Sequence, residues 1–106
     1  MGTPQRTLYE LHSSYCALFG NANRLMIMDA IKDGECSVGE IAERVGMPIQ
    51  GVSQHLRLMR DRGVVTCRRE GRAIFYRIAN RKFLRACCLI REGLLEEEKK
   101  RARLLR

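Results

Sequence analysis

The stretch 37–62, "SVGEIAERVGMPIQGVSQHLRLMRDR", constrains the fold more than any other part of the chain. Ser37 with Glu40 three residues on is a capping box, and Val38, Ile41, Ala42 and Val45 line one face of the short helix it starts. Gly46 ends that helix, and "MPIQ" leaves no room for a long connection. Ile49, Val52, Leu56 and Met59 then repeat at spacings of 3, 4 and 3, so a second helix follows at once. Each helix has one apolar stripe, and a tight turn between them forces both stripes onto a shared core. That is a helix-turn-helix.

The flanks supply the rest of the core. From Thr7 to Phe19 the chain carries Leu8, Leu11, Tyr15 and Leu18 at helical spacing, closed by Gly20. Asn21 or Asn23 can cap a further helix with Leu25, Met28 and Ile31 on its inner face and Gly34 at its end. After Gly63 the period falls to two: "VVTCR" and "AIFYRIA" are β-branched and aromatic runs around "REGR", a hairpin. Asn80 can cap a last helix whose seam is Phe83, Cys87, Ile90 and Leu94, with Glu96–Lys100 and Glu97–Arg101 as expected i, i+4 pairs beyond it. The predicted fold is mainly α with a small β-hairpin (α+β), a winged helix-turn-helix. One domain is expected over 1–106, with the helix-turn-helix at 37–62, the wing at 64–79, and outer helices at 7–20 and 80–106.

Charge narrows the partner. A formal net charge of +8 on 106 residues points to a polyanion, most economically nucleic acid. Three Phe, three Tyr and no Trp leave few platforms for stacking unpaired bases, which favours duplex DNA over a single strand. On the second helix of the pair, Gln50, Gln54 and Arg57 lie opposite the core stripe, flanked by Ser53 and His55. Gln and Arg are the types that read adenine and guanine edges bidentately in the major groove. The hairpin tip adds Arg68, Arg69 and Arg72, with Gly71 to make the turn, suited to phosphate or minor-groove contact. A polar helix face is usually just solvated; here charge, spacing and basic tip agree.

From about Leu18 to Ile78 the chain resembles the ArsR/SmtB family of bacterial and archaeal repressors. The resemblance rests on "NRLMIMDAI", "CSVGEIAERVGMPIQGVSQHLRLMRDRGVV" and "REGRAIFYRI", of which "VSQHLRLMRDRGVV" is the most specific part. It implies a homodimer joined through the first and last helices, binding an inverted-repeat operator in double-stranded DNA and released by an inducer. The apolar stripes of those two helices suit such an interface. Three inducer sites implied by the family are not matched. Where some members carry a cysteine pair at the start of the helix-turn-helix, this chain has Ser37 and Gly39, with Cys36 one residue early. The positions of a zinc site on the last helix hold Asn80, Lys82, Gly93 and Glu96. Those of a persulfide-sensing cysteine pair hold Asp29 and Leu95.

The five cysteines are therefore weighed on their own chemistry. No apolar run reaches the roughly 20 residues of a membrane span, and the N-terminus lacks a signal-peptide core, so a cytoplasmic, reducing location is expected. Gly2 is followed by Arg6 where a myristoylation signal needs Ser or Thr. An odd cysteine count argues against a disulfide framework. Cys67 in a wing strand and Cys36 at a helix entrance read as structural, small hydrophobes first. Cys87 and Cys88 are adjacent, with Cα atoms ~3.8 Å apart, too close for an unstrained disulfide. Cys16 of the first helix can complete a thiolate cluster with them across a helix interface, and His12, one turn earlier, offers a nitrogen ligand.

Three thiolates suit a soft inducer such as arsenite, cadmium or lead, while DNA binding itself needs no cofactor. The same cysteines could instead sense oxidant, persulfide or polysulfide, or simply fill a seam. A repressor released by a thiol-directed inducer is the first expectation, a redox- or polysulfide-responsive one the second, and a constitutive DNA-organising protein the third. An enzyme is the class least supported: His12 and His55 sit on different helices, and neither a phosphate loop nor a paired acid is present.

Overall fold

The computed structural model describes residues 3–105. Gly2, read above against myristoylation, and Arg106, the last residue of the expected final helix, lie outside them. Helix α1 spans Pro4–Phe19, α2 Ala22–Ala30, α3 Val38–Val45, α4 Ile49–Asp61 and α5 Arg81–Leu104. Strands β1 (Cys36–Ser37), β2 (Val65–Glu70) and β3 (Ala73–Ile78) form an antiparallel sheet in the order β1-β3-β2. This is the winged helix-turn-helix that the spacing predicts, with one strand more.

Local chemistry sets the ends. Thr3 caps α1 by accepting from the Arg6 amide, and Pro4 follows at the first helical position, where its missing N–H is no loss. The helix thus starts three residues before the expected Thr7. Asn21, not Asn23, caps α2. Both halves of the Ser37–Glu40 capping box are made, and Gly46 closes α3 in the left-handed region at φ +68°. The wing turns through Gly71 and Arg72 between the paired residues Glu70 and Ala73, with Gly71 at φ +61° as the first central residue. Asn80 caps α5.

The core sits where α2, α3, α4 and the sheet meet: Ile27, Met28, Ile31, Ile41, Val52, Leu56, Met59, Val64 and Val65 are fully buried. Each such side chain contributes roughly 1.5–3 kcal/mol by leaving water. Two assignments change. Ile27 joins the core, while Leu25 is only half-buried. Ile49, expected on the α4 stripe, is 49% exposed, although Val52 three residues on is fully buried.

Strand β1 was not expected. Cys36 pairs with Tyr76 and Ser37 with Phe75. Cys36 is buried, with Arg44 Nη1 3.1 Å from its Sγ, in keeping with a structural role. Cys67 departs from the small-hydrophobe reading: it is exposed, with Arg60 Nη1 4.0 Å from its sulfur. The expected i, i+4 pairs near the end of α5 are replaced by Glu97–Lys100 at 3.3 Å and Glu98–Arg101 at 3.4 Å, one residue closer in spacing.

The outer helices leave apolar surface uncovered. Leu8, Tyr9 and Leu11 of α1 and Leu89, Ile90, Leu94 and Leu95 of α5 are all more than half exposed. No helix among the described residues is long and apolar enough to cross a membrane.

Candidate functional site

Two regions carry chemistry, and a short chain of contacts joins them. The first is the outer face of α4 with the wing. Gln50, Gln54 and Arg57 are exposed at i, i+4 and i+7, so they share one face, while Ser53 and His55 are half-buried on its two sides. Burial, helped by the nearby Arg24 charge, pushes the His55 imidazole below its usual range. That favours its neutral, hydrogen-bonding form over the cation. Alone among the five helices, α4 begins without a side-chain cap, on Pro48.

The pleat separates the wing arginines. Register pairs Arg68 with Phe75 and Arg69 with Ile74, so the two arginines stand on opposite faces of the hairpin. Arg68 lies on the face with Phe75, over whose ring its guanidinium sits at 4.6 Å. Its Nε donates to both Glu35 carboxylate oxygens at 2.9 and 3.0 Å, and its Nη1 to Glu70 at 2.6 Å. These bonds hold Glu35 below the usual carboxylate range and raise Arg68 further above its own. Arg68, expected at the DNA surface, is held in a half-exposed ion pair that ties the wing to the loop before β1. Arg69 shares the face of Cys67 and Tyr76, which is the α4 side, and Arg72 stands at the tip. The side chains of Arg57, Arg69 and Arg72 make no ion pair among the described residues.

The second region is a cavity of about 450 Å³ between α1 and α5. Its wall is mostly carbon, from Tyr15, Phe19, Leu25, Phe83 and Ile90, and the heteroatoms it holds include His12, Cys16 and Cys87. Burial, then the charges of Cys88 and Cys16, push the Cys87 thiol up. The four residues expected to form a ligand set therefore divide. His12, Cys16 and Cys87 come together, whereas Cys88 opens onto a different depression with Lys32, Asp33 and Arg81. Successive helical residues point about 100° apart, which is why adjacent cysteines serve different faces. Among the described residues no group of three or more His, Cys, Asp or Glu side chains is placed to hold a metal ion within one chain.

Between cavity and interface lies Tyr15. Its ring stacks on Phe83 at 5.3 Å, its hydroxyl donates to the Arg62 carbonyl at 2.6 Å, and the Arg62 guanidinium sits 4.7 Å over the same ring. Arg62 Nη2 also donates to Ser14 Oγ at 2.6 Å. Arg62 is the C-cap of α4, so a side chain lining the cavity is bonded directly to the end of the helix that presents Gln50, Gln54 and Arg57. One turn beyond Cys87 on α5, Arg91 bonds Asp29 of α2 at 3.2 Å. Neither link has a sequence signal, since each joins residues more than 45 positions apart.

Comparison with known proteins agrees with this architecture. A family model described as "Helix-turn-helix domain" matches residues 19–68. The HTH-type transcriptional regulator KmtR of Mycobacterium tuberculosis is 43% identical over 63 residues, covering 59% of this chain and 48% of KmtR. The chain spans about half the length of the curated relatives it matches. Among solved structures, the homodimeric winged helix-turn-helix domain Mb0332 of Mycobacterium bovis, described as a possible ArsR-family transcriptional regulator, superposes with a TM-score of 0.78 at 29% identity, covering 91% of this chain and 89% of that one. The antimony-specific transcriptional repressor AntR superposes with a TM-score of 0.71 at 32% identity, covering 84% and 83%. In fold, in the helix-turn-helix sequence and in the coverage of these relatives, the chain belongs to the ArsR family of winged helix-turn-helix transcriptional regulators.

Proposed function

We propose that this chain acts as a homodimeric transcriptional repressor that holds an inverted-repeat operator through α4 and the wing, and lets go when a thiol-directed inducer occupies the α1–α5 cavity. The observation that carries this reading is the direct bond from Tyr15, in the cavity wall, to the C-cap of α4. Gln50, Gln54 and Arg57 face the bases, with Ser53 and His55 at the edge, and Arg69 and Arg72 take phosphate or the minor groove. The exposed leucines of α1 and α5 join two copies; the similar Mb0332 domain is homodimeric.

The inducer is a soft ion, arsenite or antimonite before cadmium or lead, taken by Cys16 and Cys87 with His12 at hand. Similarity to AntR, which is named for antimony, supports a metalloid. A third thiolate would come from the second copy or from Cys88 after a turn of α5. Burial pushes the Cys87 thiol up, so a divalent ion that binds its sulfur displaces a proton to solvent, whereas arsenite, As(OH)3, gives up one hydroxide per thiol and the proton leaves with it as water. A coupling of only ~1–3 kcal/mol passed through Tyr15 to α4 is enough to release DNA. The second reading, oxidation or polysulfide, draws on the same pair of thiols in one cavity.

The test is fluorescence anisotropy of the fully reduced protein on DNA from its own upstream region, titrated with arsenite under inert gas. Stoichiometric release that disappears in Cys16→Ser and Cys87→Ser supports the metalloid reading. Release by cadmium should require less metal at about pH 8 than at about pH 6, since its binding frees thiol protons, whereas release by arsenite, which sheds water, should be nearly independent of pH over that range. Binding that ignores arsenite and cadmium but is lost with polysulfide, and restored by reductant, selects the second reading. Equal affinity for the upstream DNA and random DNA would leave a constitutive DNA-organising protein instead.

A further inference from the structure

Ile49 is an apolar residue that the fold leaves half uncovered at the start of the helix read above as facing DNA. It is the first residue of α4, 49% exposed, and its neighbours Pro48 and Gln50 are exposed with it. It lies one turn before Ser53 on the same flank of the helix, and Gln50 stands next to it toward the outer face. In helix-turn-helix complexes the N-terminal residues of the second helix are the ones that meet base edges. Among groups in the major groove, the C5-methyl of thymine is the one that an aliphatic side chain recognises, and adenine is the base that Gln recognises bidentately. The first turn of α4 thus presents a methyl-binding side chain beside an adenine-reading one, and Gln54 offers a second adenine reader one turn on.

We propose that α4 reads an A·T-containing half-site in which Ile49 packs on the methyl group of one thymine, with Gln50 on an adenine of an adjoining base pair. This rests on the DNA-binding reading above and adds to it the base chemistry of the operator. A half-exposed isoleucine is then desolvated only in the complex, which gives specificity without a hydrogen bond.

The experiment uses duplexes selected by the whole protein from a randomised pool, with each conserved thymine replaced in turn by deoxyuridine. That change removes one methyl group and leaves base pairing intact. The expected result is one thymine per half-site at which the replacement weakens binding by about fourfold, the worth of one buried methyl. Ile49→Ser should lose a similar factor on thymine DNA and be indifferent to uracil at that position, and Ile49→Val should keep most of the methyl effect. Because Ile49 is outside the core, the thermal midpoint of each variant should match the parent, which separates lost contact from lost fold. Selected DNA with no methyl-sensitive thymine, or an Ile49→Ser variant that still senses the methyl, overturns the inference while leaving DNA binding intact. A protein that selects no sequence overturns both.

Discussion

At the scale of single residues, neighbours in sequence take different work according to the face on which they land. Arg68 and Arg69 are adjacent and equally basic, yet the pleat sends one to Glu35, Glu70 and the Phe75 ring and the other to the α4 side. Each phosphate contact removed lowers the slope of log affinity against log salt by about one. Arg69→Ala and Arg72→Ala should therefore each flatten that slope, read from anisotropy titrations at several salt concentrations. Arg68→Ala should leave it nearly unchanged and instead loosen the wing, seen as faster amide hydrogen exchange in β2 and β3. Cys87 and Cys88 divide in the same way, one toward the α1–α5 cavity and one away from it. A Cys88→Ser variant should accordingly keep more of any arsenite response than Cys87→Ser.

At the scale of elements, α1 touches both regions. It contributes Cys16 and Tyr15 from consecutive positions, one lining the cavity with a thiol and the other bonded to the end of α4. Tyr15→Phe removes only the hydroxyl that meets the Arg62 carbonyl and keeps the ring against Phe83. Its operator affinity should stay within about threefold of the parent. The shift in that affinity caused by a saturating inducer should shrink by about 0.5–1.5 kcal/mol, the usual worth of one hydrogen bond. Equal inducer responses in parent and variant would show that the signal travels by another route, the Arg91–Asp29 link between α5 and α2 being the next to remove. The start of α3 gives a plain stability test. Ser37→Ala breaks the capping box and should cost about 1 kcal/mol in denaturant melts.

At the scale of the whole molecule, the single chain leaves one side unfinished. Ile90 and Leu94 of α5 are 65% and 61% exposed, and Leu8 and Leu11 of α1 add to the same kind of surface on the other outer helix. Exposed apolar side chains gathered on two outer helices are the kind of surface that marks an association site. Sedimentation should give twice the 12.2 kDa of one chain. Ile90→Glu with Leu94→Glu should yield a folded monomer, because neither side chain contributes to the buried core. That monomer should lose most of its operator affinity, since one helix can hold only one half-site.

The helix-turn-helix, the hairpin and the outer helices were legible because each is announced locally. A capping box, a left-handed glycine, a 3, 4, 3 apolar spacing and a switch to period two are all patterns within a dozen residues. The charged amide-and-arginine face of α4 was legible for the same reason. Strand β1 was not: two residues are too few to show alternation, and Cys36 and Ser37 are extended because β3 offers them an edge. Nor could spacing show that Ile49 escapes the core, since a stripe says which side of a helix is apolar and not how far the neighbouring layer reaches. The ion pair of Arg68 with Glu35, the parting of Cys87 from Cys88 and the bond from Tyr15 to Arg62 are likewise products of packing. Periodicity along the chain decides which elements form and which way they face; only their assembly decides which side chains, distant in sequence, meet.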